Sequence, residues 1–327
     1  MNITYDPTQD KTLIGFRDYY QKPINLLIQD FLQKKISSTR LVLRFSAKLN
    51  KDILSVEKII KDCEEKEAQQ HALSDVELAL LGDYYRFFNM NYIKAFHYYQ
   101  QAAEKGNLDA INNMGWMYAS ATGVNENFKQ AKECFERAAK AGHAGGLNNL
   151  GAMYHHGLGN ETPEFEKAKT YYLQAAAQGH ASALYNLGNM YFEGLGCPEI
   201  DFKQAKFYFE QATEQGSINA LFNLAVIYHQ GHGLEPDYGR AAEYYRQIYI
   251  MNDHSARDYL ETLFNEQPTH PQVIYHVAMV VDNAMTRMAL NTLANDHSDD
   301  FNCLVRKEDR EQLNKMLDQK IKEQWTV

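Results

Sequence analysis

The chain has 327 residues, 45% of them hydrophobic, and a formal net charge of −9, which is material enough for a substantial core. A pI of about 5.7 and the lack of any Lys/Arg block argue against a nucleic-acid partner. No run approaches the ~18 uninterrupted apolar residues of a membrane span. Cys63, Cys134, Cys197 and Cys303 are too scattered for a disulfide or zinc framework, which fits reduced thiols in a cytosolic protein.

The start, MNITYDPTQD, has no basic stretch leading into an apolar core, so no cleavable signal peptide is expected. LLIQDFLQKK and DILSVEKIIKDC follow with amphipathic spacing, and residues 1–73 are predicted to form a helical N-terminal cap. Ser74-Asp75-Val76-Glu77 is a capping-box pattern that marks the next helix start.

From there the sequence repeats itself. Gly82, Gly115, Gly151, Gly188 and Ala225 recur at steps of 33 to 37 residues, and Tyr85, Tyr118, Tyr154, Tyr191 and Tyr228 follow three residues later. Ala95, Ala131, Ala168, Ala205 and Ala241 form a second series, with Gly106, Gly142, Gly179, Gly216 and Asn252 eleven residues beyond. Several anchors holding one period signal a repeat array. After each anchor alanine, aromatics and small residues fall on one helical face, as in Tyr171/Tyr172 and Ala175/Ala176. The following Gly or Asn suits the left-handed residue that ends a helix. Asp109, Gly145, Ser182, Asn219 and Ser255 then stand where N-caps of the next first helices are expected.

Gly188, in LYNLGNMYFEGLG, is predicted to lie inside a helix where a missing Cβ admits the partner helix. Gly194 and Gly196 follow a helix and no G-K-[ST] comes after them, so they read as turn residues and not as a nucleotide-binding loop. Pro268 and Pro271 break the chain after a degenerate sixth first helix, 256–264. The segment 272–294 is apolar on more than one side and is expected to be buried. A last helix over 306–325, with the stripe Leu313, Met316, Leu317, Ile321 and Trp325, mixes acidic and basic residues and reads as a cover for the end of the array.

The string A-x-x-N-L-G-x-M-Y-x-x-G-x-G, then K-A-x-x-Y-Y-x-x-A-A-x-x-G, resembles the Sel-one-like repeat (SLR), a relative of the tetratricopeptide repeat. It is clearest at 146–179, 183–216 and 220–252. The copy at 110–142 has Ala121 at the first turn glycine, and the copy near 77–106 is shorter and more like a tetratricopeptide unit. The resemblance implies an all-α fold, a right-handed α-solenoid of antiparallel helix pairs over 74–264, with helical caps at 1–73 and 265–327. It also implies a non-catalytic scaffold or adaptor for a protein or peptide partner, in roles such as signalling or host interaction. The per-repeat cysteine pair of some secreted bacterial members is missing. The expected location is the cytoplasm, or a host cell reached without a cleavable signal.

Positions two, three and six after the small residue that opens each first helix share a face. They are Asn112/Asn113/Trp116, Asn148/Asn149/Ala152, Tyr185/Asn186/Asn189 and Phe222/Asn223/Val226. Asn113, Asn149, Asn186 and Asn223 thus place one amide in each repeat. The resemblance puts first helices on the concave side, where Asn113, Trp116, Asn149, Tyr185, Asn186, Asn189, Phe222, Asn223 and Tyr259 are the expected peptide-binding residues. The same amides are equally suited to bonding neighbouring repeats, and the two roles are compatible. No charged residue occurs in 110–118, 146–154, 183–191 or 220–228, which disfavours a carboxylate clamp.

His155, His156, Glu193, His229 and His232 could be imagined as a metal rim, but no local ligand spacing supports one, and they read as exposed turn histidines. His143 and His180 read as loop structure. No cofactor is predicted. G-x-S-x-G, H-E-x-x-H and C-x-x-C are all missing, so no enzyme is expected. A small-ligand binder or hydrolase related to secreted bacterial repeat proteins is the alternative.

Overall fold

The structure is a computed structural model that describes residues 53–159, 162–250, 256–267, 269–278 and 280. The predicted cap segments at 1–52 and 281–327, with the 306–325 helix, Cys303 and the terminator Asn252, lie outside the described residues. Among the described residues there are thirteen helices and no strand. They fall into two compact units, Met1–Ser217 and Ile218–Val327.

In the first unit, α1 (Ile53–Ala68) packs on α2 (Asp75–Phe87), which pairs with α3 (Tyr92–Glu104). Three more pairs follow: α4 (Leu108–Ala119) with α5 (Phe128–Lys140), α6 (Ala144–His156) with α7 (Phe165–Ala176), and α8 (Ala181–Glu193) with α9 (Phe202–Glu214). Each second helix also packs on the next first helix, so the unit is an α-solenoid of consecutive helix pairs. In the second unit, α10 (Ile218–Gln230) pairs with α11 (Tyr238–Ile250), and α12 (Ala256–Glu266) and α13 (Pro271–Ala278) both pack on α11.

The anchor glycines explain how the pairs close. A β-carbon on Gly115 would sit 2.7 Å from the Phe135 ring, and one on Gly151 would sit 2.8 Å from Tyr172. The same holds for Gly82 against Tyr99 and Gly188 against Phe209. The first helix lacks a side chain where the second helix inserts a buried ring, so the backbones approach closely. Beside this contact the repeat tyrosines stack in pairs. Tyr85/Tyr98, Tyr154/Tyr171 and Tyr191/Tyr208 have ring centroids 5.5, 5.6 and 5.4 Å apart. Cys134 takes the second tyrosine's place in the α4–α5 pair, and Tyr118 meets Phe96 edge-on instead, at 5.2 Å. At the α1 end, the Tyr85 and Tyr98 hydroxyls donate to Glu64 and Glu67 at 2.6 and 2.7 Å.

The predicted helix start at Ser74 is present: Ser74 Oγ accepts from the Glu77 amide and Glu77 accepts from the Ser74 amide. Of the other predicted N-caps, Ser255 lies outside the described residues, Asn219 falls inside α10, and the remaining three are displaced. α4, α6 and α8 are capped by Asn107, His143 and His180, two residues before Asp109, Gly145 and Ser182. The cause lies in how each second helix ends. The Gly142 amide donates to Ala139 O at 2.9 Å and the His143 amide donates to Ala138 O at 3.0 Å, the paired bonds of a Schellman end. Gly142 carries the left-handed φ of +80° this requires. His143 is therefore at once the last residue of one helix end and the cap of the next helix.

Candidate functional site

The first helices of the first unit present one polar face, and its geometry follows from the repeat. The second position of each asparagine doublet reaches the first position of the doublet one repeat earlier. Asn149 Nδ2 donates to Asn112 Oδ1 at 2.8 Å, and Asn186 Nδ2 donates to Asn148 Oδ1 at 3.1 Å. Within α6, Asn148 Nδ2 donates to Asn149 Oδ1 at 3.3 Å. The result is a continuous chain of four amides, Asn186 to Asn148 to Asn149 to Asn112, running across α8, α6 and α4. Amides linked in series polarise one another. At its ends, Asn186 Oδ1 and Asn112 Nδ2 make no hydrogen bond among the described residues, and both side chains are half-buried.

Asn113 is not a member of this chain, because its counterpart one repeat earlier is Ala79, which offers no acceptor. Asn113 turns to α2 instead. Its Nδ2 donates to Asp83 Oδ1 at 3.3 Å, and its Oδ1 accepts from Arg86 at 3.4 Å. The Tyr99 hydroxyl donates to the same Asp83 oxygen at 2.5 Å, and Asp83 is fully buried. Burial, then the charge of Asp83, pushes the Tyr99 phenol well above its usual pKa. The Arg86 guanidinium lies 3.8 Å over the Trp116 ring, a cation–π contact that fixes the half-buried indole on this face.

The remaining predicted residues divide between the units. Tyr185 is buried, with its ring 5.9 Å from Phe209, while Asn189 on the same helix is half-buried. Phe222 and Asn223 are half-buried in the second unit. Phe222 meets Tyr259 edge-on at 4.9 Å, and Tyr259 stacks on Tyr245 at 5.4 Å. The structure therefore joins Asn149 with Asn186, Asn113 with Trp116 through Arg86, and Phe222 with Tyr259. Sequence reasoning missed Asn112 and Asn148 as acceptors, although the Asn-Asn doublets at 112–113 and 148–149 carried the signal. It also missed Asp83 and Arg86, the charged pair on the earliest first helix.

Among the described residues, no three His, Cys, Asp or Glu side chains converge on a metal-sized position. His155 sits against Phe165 and Tyr172, with centroids 5.4 and 6.2 Å away, and burial followed by the neighbouring His156 lowers its pKa to about 4. His229, in the second unit, bonds Glu266 at 2.6 Å and Tyr245 at 3.5 Å. The Cys63 thiol is buried and pushed up to about 11, which leaves little of the thiolate that nucleophilic chemistry requires. No helix among the described residues is long and apolar enough to cross a membrane.

Comparison with known proteins identifies the architecture. The Sel1 repeat family model matches residues 79–107, 108–143, 144–180, 181–217 and 218–253. The shorter first copy is thus included. No curated protein matches the sequence. Among solved structures, a protective antigen of uropathogenic Escherichia coli strains with an SLR fold is 23% identical, with a TM-score of 0.53. That match covers 72% of this chain and only 55% of the antigen. A Sel1 repeat protein from Oxalobacter formigenes is 25% identical, with a TM-score of 0.52, over 72% of this chain and 95% of the other. With five consecutive repeats filling more than half its length, each built from a glycine-closed helix pair, this chain belongs to the Sel1 repeat family.

Proposed function

We propose that the protein is a non-catalytic interaction scaffold that holds a polypeptide segment against the first-helix face of its first unit. Sel1 repeats are typically protein–protein interaction scaffolds. The observation that supports this surface is the amide chain with open ends: a donor on Asn112 and an acceptor on Asn186, separated by two mutually bonded amides. A peptide backbone offers the complementary pair, a C=O and an N–H, whatever its side chains. Trp116, held by Arg86, supplies an aromatic contact beside the Asn112 end, and Asn189 adds a further polar contact on α8. Aromatic residues with fixed rings often dominate interface energy.

The test starts from a random-peptide display selection on the full chain. Selected peptides are then measured against the Asn112→Ala/Asn186→Ala double variant and against Trp116→Ala. Loss of hydrogen bonds at both ends of the chain corresponds to about tenfold weaker binding. Moderate salt should change little, because the bonds are between neutral groups. Peptides that bind the double variant as tightly as the parent, with folding verified by circular dichroism, place the binding surface elsewhere.

A further inference from the structure

The cap residues of the first helices link successive repeats, and one of these links can take up a proton. Asn107 is the simplest case. Its Oδ1 accepts from the Ala110 amide at 2.9 Å, capping α4, while its Nδ2 donates to Asp75 at the start of α2 at 3.2 Å. His143 makes the same two contacts one repeat later. Its Nδ1 accepts from the Gly146 amide at 3.0 Å, capping α6, and its Nε2 lies 3.1 Å from Asp109 Oδ1 at the start of α4. An amide makes both bonds at any pH. An imidazole makes both only in its neutral form with the hydrogen on Nε2, because a protonated ring has no acceptor.

We propose that His143 is a proton-operated joint between the second and third repeats. In the neutral form it caps α6 and ties it to α4. On protonation, Nδ1–H faces the Gly146 N–H and the positive end of the α6 dipole, so the cap is lost. The Nε2–H to Asp109 contact meanwhile becomes an ion pair. Protonation thus loosens the start of α6 while strengthening its tether to the preceding repeat. Histidine is the side chain that changes charge between about pH 5 and 8.

The surroundings allow this exchange. Asp109, on α4, is the one charged group in contact with the ring among the described residues. Arg137 and Lys140 stand in the last turn of α5, and Arg137 donates to Ala103 O at 3.3 Å. Neither reaches His143. His180, one repeat on, caps α8 through Nδ1 at 3.3 Å from the Ala183 amide, and Gly145 stands at the position that corresponds to Asp109. α6 carries Asn148 and Asn149, which places it directly beneath the proposed binding face.

Hydrogen exchange of the full chain tests the joint. Protection of the segment 144–150, corrected for intrinsic exchange, is measured across about pH 5 to 7.5. The parent should lose about fivefold of its protection at the acidic end, the worth of one cap. His155 titrates on the same helix in both chains, so His143→Asn, which copies Asn107, should keep about fivefold more of its protection than the parent at the acidic end. A parent profile without pH dependence overturns the joint, as does a His143→Asn profile that falls like the parent's. Asp109→Asn provides the second variant. Without the carboxylate the protonated ring has no ion pair to Asp109, so protection of 144–150 at the acidic end should fall further than the parent's. Acidic-end protection equal to the parent's removes Asp109 from the joint and overturns the proposal as stated.

Discussion

Asn148 is the point at which the amide chain is most easily interrogated. Its side chain is 8% exposed, accepts from Asn186 at 3.1 Å and donates to Asn149 at 3.3 Å. Asn148→Ala removes both bonds. A neutral hydrogen bond contributes about 0.5–1.5 kcal/mol net. Both bonds are longer than the common distance, and the half-buried partners regain some water, so the expected loss is about 1–2 kcal/mol. Asn186→Ala removes one of the same bonds and should cost about 0.5–1 kcal/mol. Because the two variants delete a shared contact, their combination should fall short of the sum by about 0.5–1 kcal/mol. Urea unfolding of the parent, both single variants and the double variant closes the cycle, with intrinsic repeat and interface contributions separated by a nearest-neighbour treatment. Strict additivity would refute the claim that the amides bond repeat to repeat. A coupling of the expected size, together with weakened peptide binding in Asn186→Ala, would mean that the same side chains serve both stability and recognition.

The period, the helix pairs and the core were legible in the sequence because each rests on residues that recur. Gly151 and Tyr172, or Gly188 and Phe209, keep their spacing since a buried ring can enter only where a side chain is missing. The helix starts were misplaced by two residues for a different reason. Propensity rules favour Ser, Asp, Asn and Gly as caps, whereas α6 and α8 are capped by imidazole nitrogens. The tight Schellman end also makes one residue serve two helices, which leaves no linker to read. The amide ladder was visible as a row, but its pairing was not. Asn149 could bond along the row or diagonally to Asn112, and only the stagger between adjacent helices selects the diagonal. Asp83 escaped notice because its burial depends on Tyr99 and Asn113, which lie 16 and 30 residues away in the chain.

Gly151→Ala should destabilise by about 1–3 kcal/mol, since its β-carbon would press on the Tyr172 ring; urea unfolding at parental stability would contradict the close-approach argument. Ala121 has a φ of +53° at the position occupied by Gly157 and Gly194 in later repeats. Relief of the left-handed strain, less the entropy glycine adds to the unfolded chain, predicts that Ala121→Gly stabilises by roughly 0.5–1 kcal/mol; a melting temperature that falls would oppose this. The last prediction concerns His155, whose pKa is lowered from 6.5 to about 4, first by burial and then by His156. Between these two values the unfolded chain binds a proton that the folded chain does not, so stability falls as pH falls through this window. Above pH 6.5 the contribution is fully present. Linkage over the window amounts to about 2–3 kcal/mol, most of it lost by about pH 4.5, and partial solvent access places the expected loss near ~2 kcal/mol. His155→Phe removes the titration while keeping a ring between Phe165 and Tyr172. The stability difference between parent and variant, followed by urea unfolding, should therefore shift by this amount in the variant's favour from pH 7 to about 4.5. A difference that stays constant across that range would mean that His155 takes up its proton in the folded chain as readily as in the unfolded one, and that the aromatic surroundings do not exclude the charge.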